Sequence, residues 1–266
     1  MSARRYTDYD AFAWFYNRYW GGFSSRAVPV LDRLVLGNLP PGATILDLCC
    51  GAGHLASILT ARGFCVVGVD GSSEMLAFAR ENAPQAQFVL ADAREFRSPE
   101  AFDAALCLFD SLNHIMSLDE LEQVFANVYA SLVPGGTFVF DLNMETGYRS
   151  RWNGSMGLAR EDHALIARSS YDVETRTGRM DLTMFRLIEG AWHRSDVTLT
   201  QRAYEEGEVR EALGRAGFRE VAVLDAERDL QMPTGAGRSF FVAVRPLDAP
   251  DLGLPHHPEG IAGPRR

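Results

Sequence analysis

The chain has 266 residues, 47% of them hydrophobic and 23% charged, and a net charge of −9. That length fits one large domain, or one domain with a subdomain inserted, and the composition supplies a sizeable core. The acidic balance disfavours a nucleic-acid partner, whose affinity rests on clustered Lys and Arg. No apolar run approaches the length of a membrane span and the start has no apolar signal core, so no membrane partner and a cytoplasmic location are expected. The four cysteines, Cys49, Cys50, Cys65 and Cys107, form no C-x-x-C pair and read as buried free thiols, which suits a reducing compartment. The six scattered histidines offer no ligand spacing, and no metal is expected.

In chain order, residues 1–38 read as helical and aromatic-rich, with Phe12, Phe15, Tyr16 and Tyr19 sharing a face and Gly21-Gly22 breaking the run. A helix docked on the core and a lid over a pocket are compatible readings, with Tyr16 as the lid residue. Pro40-Pro41-Gly42 then punctuates the chain. A rhythm follows: strand 44–49, helix 55–62, strand 65–69, helix 73–82, strands 87–90 and 102–108, helix 118–132, strand 137–141. Apolar strands alternating with helices imply a parallel sheet covered on both faces. Ser117-Leu-Asp-Glu120 reads as a capping box at a helix start. Between 144 and 203 the pattern predicts an inserted antiparallel ribbon of about three strands, an acceptor cover or a dimer contact. A helix over 208–216 follows. Strands 220–224 and 239–245 are too close in sequence for a helical crossover and should form an antiparallel hairpin at the sheet edge. The proline-rich tail, 247–266, is expected to be disordered.

The stretch that organises the chain is Ile45-Leu-Asp-Leu-Cys-Cys-Gly-Ala-Gly-His-Leu-Ala56, a strand, a glycine turn and a helix start. Glycines there let the backbone turn sharply and admit a ligand to the helix N–H groups. Gly51-Ala-Gly53-His-Leu-Ala56 matches the dinucleotide fingerprint, with Asp70 as its ribose acid. Three details point elsewhere: Asp47 inside an otherwise apolar strand, the Asp92-Ala93 step, and the closing antiparallel hairpin. Each strand end also carries a polar residue, up to Phe109-Asp-Ser-Leu-Asn-His114 after the fourth, so the tips converge on one edge.

At this point the chain resembles the class I S-adenosylmethionine-dependent methyltransferases, in the subgroup acting on small molecules. The resemblance runs from about Tyr9 to Arg245 and is carried by Leu46-Asp-Leu-Cys-Cys-Gly-Ala-Gly53, Val67-Gly-Val-Asp-Gly-Ser-Ser-Glu-Met75, Ala91-Asp-Ala93, Phe102-Asp-Ala-Ala-Leu and Leu132-Val-Pro-Gly-Gly136. It implies a Rossmann-like, doubly wound, mostly parallel seven-stranded α/β sheet with an antiparallel last strand. Residues 39–143 and 204–246 would form the cofactor domain, 1–38 the helical lid and 144–203 the inserted β subdomain. It implies S-adenosyl-L-methionine as cofactor, S-adenosyl-L-homocysteine as product and methyl transfer to nitrogen or oxygen of a small molecule. Gly51 and Gly53 would approach the methionine part, with Asp47 orienting that turn. Asp70 and Gly71 would meet the ribose, Met75, Asp92 and Ala93 the adenine, and Phe109 and Tyr16 the methionine end. His114 and Asn113 stand where the methyl group should emerge and are the catalytic candidates. Trp20, Trp152, Tyr171 and Arg186 are candidates for holding the acceptor. A non-catalytic cofactor-binding module and a dinucleotide oxidoreductase are the competing readings.

Overall fold

The computed structural model describes residues 8–233 and 235–247. Its main sheet has seven strands in the order β3 (Gln87–Leu90), β2 (Cys65–Asp70), β1 (Thr44–Leu48), β4 (Phe102–Cys107), β5 (Leu132–Asn143), β11 (Arg238–Val244) and β10 (Arg219–Asp225). All neighbours pair in parallel except β11, which runs antiparallel to both β5 and β10. The central strands are short and apolar because both of their faces are covered. Leu46, Leu48, Val67, Phe138 and Phe140 pack under α5 (Leu118–Ser131) and α7 (Glu206–Arg215). On the other face Ile45, Val66, Leu106 and Val139 pack under α2 (Gly22–Leu34) and α3 (His54–Ala61). From β1 and β4 the chain winds outward in opposite directions, and the crevice this leaves at their carboxyl ends is where ligands of open α/β sheets bind.

A second, antiparallel sheet has four strands: β6 (Gly154–Ala159), β7 (His163–Asp172), β8 (Thr177–Ile188) and β9 (Ala191–Arg202). The ribbon therefore has one strand more than the sequence pattern predicts. Strand β6, Gly-Ser-Met-Gly-Leu-Ala, is mostly exposed and lacks the apolar alternation that marks the others. A short helix, α6 (Glu145–Arg151), leads into it. The inner face of this sheet, with Leu165, Ala167, Leu182, Met184 and Leu199, packs on Phe12 and Phe15 beside α1 (Ala13–Tyr19). The opposite side of α1 meets the main sheet's periphery through Ala13, which packs with Ala52 and Met75 of α4 (Ser73–Asn82).

The expected capping box at Ser117 does not form. Ser117 makes no side-chain cap, and Glu120 turns to Arg94 at 3.2 Å. A capping box does open α7, through Glu205 and Glu208. The tail expected to be disordered lies, from residue 248 onward, outside the described residues. Among the described residues, no helix is long and apolar enough to cross a membrane.

Candidate active site

Strand β1 ends in a turn that only unusual backbone permits. Cys49, Gly51 and Gly53 all have positive φ, at 58°, 54° and 74°. A Cβ on Gly51 would stand 3.2 Å from the Tyr16 ring, and one on Gly53 would stand 2.9 Å from Ala79 of α4. The turn is tied to the next strand end by Asp70, whose two carboxylate oxygens accept from Gly51 N and Ser72 N, each at 2.9 Å. Ser72 caps α4 by accepting from Met75 N, which delivers Met75 to the crevice wall.

Two carboxylates stand at this turn, Asp47 buried and Asp70 half-buried, and among the described residues neither forms an ion pair. Burial first, then the neighbouring Asp70, pushes the Asp47 carboxyl up to about 7. Its Oδ2 is buried with no hydrogen-bond partner, while the Ala56 backbone N–H holds the group from the start of α3. Burial likewise pushes Asp70 up to about 6, against the hydrogen bonds from Ser72 and Gly51. Asp92 differs. Arg94 grips it through Nε at 2.8 Å and Nη2 at 2.6 Å, an arrangement that favours its charged form.

The turn after β4 is held by partners distant in sequence. Phe109 and Asp110 both have positive φ, 62° and 49°. Asp141, fully buried on β5, accepts from Phe109 N at 2.6 Å and from Asp110 N at 3.0 Å. Arg238 at the start of β11 donates to both Asp141 and Asp110. Its guanidinium lies 5.0 Å from the centre of the Phe23 ring, which stacks on Phe109 at 4.3 Å.

Beyond that turn His114 is fixed in one tautomer. Nδ1 stands 2.9 Å from the Thr200 carbonyl, an acceptor, so Nδ1 carries the proton. Nε2 then accepts from the Tyr9 hydroxyl at 2.9 Å and from Gln201 at 3.1 Å. Burial lowers the imidazole pKa, partly offset by Asp110, so the neutral form prevails at pH 7. Gln201 also donates to Asp110 at 2.6 Å and accepts from the Tyr148 hydroxyl at 2.8 Å.

These groups surround one cavity of about 270 Å³. Of the expected cofactor residues, Tyr16, Gly51, Asp70, Gly71 and Met75 line it, as do Asp92, Ala93 and Phe109. Asp47 and Gly53 stand behind the turn; Gly53 serves the close packing of α4, and Asp47 acts from below. The catalytic candidate His114 and the acceptor candidates Trp20 and Trp152 also line the cavity.

Three of the expected catalytic and acceptor residues do not reach it. Asn113 is fully buried, with its amide donating to the Asn143 and Arg202 carbonyls and its oxygen accepting from Asn143 N, so it welds the turn to β5 and β9. Tyr171 stacks on Tyr148 at 5.2 Å. Arg186 lies over the Trp14 ring at 4.3 Å. Sequence reasoning missed Gln201, Arg151 and Arg238, which line the cavity from elements distant in the chain. The signal for Arg238 was Asp141, a lone acid in an apolar strand, which burial leaves either to pair with a cation, as here, or to be raised in pKa, as Asp47 is.

The arrangement fits S-adenosylmethionine on its own terms. A buried carboxylate with an orphaned oxygen and a second carboxylate with no ion pair among the described residues suit a positively charged ligand, and the glycine turn leaves backbone exposed beside them. Comparison with known proteins agrees. Residues 45–136 match the family model of a methyltransferase domain. A dTDP-3-amino-3,4,6-trideoxy-alpha-D-glucopyranose N,N-dimethyltransferase from Streptomyces venezuelae is 30% identical over 227 residues, 84% of this chain and 91% of the relative. Among solved structures, an S-adenosylmethionine-dependent methyltransferase from Clostridium acetobutylicum superposes with a TM-score of 0.74 at 22% identity, covering 90% of this chain and 99% of that one. CalS10 from Micromonospora echinaspora, an amino pentose methyltransferase solved with S-adenosylmethionine bound, gives 0.66 at 25% identity, covering 92% and 99%. With its fold, its cavity and these relatives in agreement, the chain belongs to the S-adenosylmethionine-dependent methyltransferases.

Proposed function

We propose that the enzyme methylates an amino nitrogen of a small molecule, and that His114 takes up the proton the amine must lose. The observation that carries this reading is His114 in the cavity lining, neutral at pH 7, with its Nδ1 proton held by Thr200 and its Nε2 left as the acceptor. When bound, the cofactor supplies the electrophilic methyl group. The residues around it have to orient the nucleophile, exclude water and accept a proton. An amine arrives largely as an ammonium ion, for which the Tyr9, Tyr16 and Trp20 rings and the Asp110 carboxylate form a favourable wall. Proton transfer to His114, directly or through the Tyr9 hydroxyl, frees the lone pair for in-line attack. The charge of Asp110 favours the resulting imidazolium, whose new N–H displaces the Gln201 amide. The second sheet covers this end of the cavity through Met180, Leu199 and Gln201.

Relatives support nitrogen as the acceptor atom: the Streptomyces venezuelae enzyme named above, and a dTDP-3-amino-3,6-dideoxy-alpha-D-glucopyranose N,N-dimethyltransferase from Streptomyces fradiae, 34% identical over 129 residues. The test is incubation with S-adenosylmethionine and paired amino and hydroxy compounds of one carbon skeleton, read by mass spectrometry. Methylation of the amino member alone is expected. Methylation of the hydroxy member alone would assign oxygen instead, and transfer to neither would favour a sensor of the cofactor.

A further inference from the structure

Among the described residues, three guanidinium groups line the cavity: Arg94, Arg151 and Arg238. Arg94 is neutralised by Asp92 and Glu120, and Arg238 by Asp110 and Asp141. Arg151, at the end of α6, is different. Its Nη2 donates to the Asn143 side-chain oxygen at 2.8 Å, an uncharged partner, and among the described residues no carboxylate lies within ion-pair distance. Arg149, one turn face away on the same helix, takes the local acid, Glu145. Asn143 is itself held through its backbone by Asn113, so the amide that orients Arg151 is fixed to the rigid turn carrying His114. Trp152, next in sequence and buried, lines the cavity beside it.

Because Arg94 offsets Asp92 and Arg238 offsets Asp110, Asp70 at the glycine turn and Arg151 at the opposite end are the two charges of the described lining without an ion pair. An unneutralised, oriented guanidinium fork at an indole wall matches a carboxylate or phosphate group in geometry and charge.

We propose that Arg151 binds an anionic group, carboxylate or phosphate, carried by the methyl acceptor, so that the substrates are anionic amines. The amine half of that statement rests on the reading of His114; the anionic half rests on Arg151 alone.

The test is calorimetric titration of the protein loaded with S-adenosylhomocysteine. The probes are glucosamine, glucosamine 6-phosphate, glucosaminic acid and glucose 6-phosphate, each against wild type, Arg151→Gln and Arg151→Lys. Wild type should bind the phosphate or the carboxylate amine at least about tenfold more tightly than glucosamine, and which one it prefers identifies the anion. Arg151→Gln should abolish the difference and Arg151→Lys should keep part of it. Unchanged affinity for S-adenosylhomocysteine in both variants verifies that they fold. Equal binding of glucosamine, selectivity that survives Arg151→Gln, or no binding of either anionic amine overturns the proposal. Arg151-dependent binding of glucose 6-phosphate as tight as that of its amine would uphold the anion site and count against the amine reading instead.

Discussion

Asp47 and Asp70 sit on the adjacent strands β1 and β2 at one end of the sheet, close enough to repel each other and, among the described residues, without an ion pair. Their carboxyls are raised to about 7 and about 6 from an ordinary value of 3.8, burial being the largest cause in each. The folded empty protein therefore holds more protons than the unfolded chain between those values, and its stability falls as pH rises from about 4 through about 7, by a few kcal/mol for the pair. Melting temperatures across that range should show the decline, and Asp47→Asn should flatten it; an unchanged slope would mean the carboxylate is solvated. A cationic ligand reverses the balance, because it stabilises the ionised forms. Affinity for S-adenosylhomocysteine, through its ammonium group, should thus rise as pH passes through about 6 to 7. Asp70→Ala should weaken that affinity by about 3 kcal/mol, about a hundredfold, by losing charge-assisted hydrogen bonds to the ribose and loosening the Gly51 turn. His114→Ala should slow turnover while leaving S-adenosylhomocysteine binding nearly intact. A normal rate would remove the imidazole from the proton path.

The element that decides the geometry of the acceptor end is the turn after β4. Two consecutive non-glycine residues with positive φ are strained, and they persist because Asp141 and Arg238 over-determine them. Breaking a buried pair by removing one partner strands the other, so Asp141→Asn should cost about 3 to 5 kcal/mol in chemical denaturation. A double variant that also carries Arg238→Met should lose less than the sum of the two single changes, since the stranded charge is gone. This turn also marks where sequence reading stops. Gly51, Asp70 and Asp92 were legible because each stands at a strand end fixed by local apolar pattern. Asn113 was misread because nothing near it in sequence reveals that its amide is used up by residues 143 and 202. Arg238, Gln201 and Arg151 reach the cavity from elements far along the chain, and no local periodicity reports such a meeting. Strand β6 escaped because its glycines erase the alternation that betrays β7, β8 and β9.

At the scale of the whole molecule, α1 joins the two sheets and closes the cavity between them. On one side the Asn82 amide, on α4, donates to the Asn17 side chain at 2.7 Å and to the Ala52 carbonyl at 2.8 Å. On the other, Tyr19 bonds the buried His163 of β7, Trp14 lies under Arg186, and Phe15 is sunk among the inward residues of the second sheet. Between these anchors Tyr16 faces Gly51 and Trp20 faces the acceptor end, so the position of the helix sets the depth of both halves of the cavity. Phe15 does not line the cavity, yet its burial at 1% exposure holds the helix down. Phe15→Ala should therefore lower stability by about 3 to 5 kcal/mol, as for other large-to-small core changes. It should also weaken S-adenosylhomocysteine binding at a temperature where the variant is still folded, because Tyr16 is no longer pressed against the glycine turn. Phe15→Leu, which keeps most of the volume, should recover most of both losses. Calorimetric titration beside a denaturation curve separates the two effects. Loss of stability with unchanged affinity would mean that the helix braces the second sheet without shaping the cofactor end.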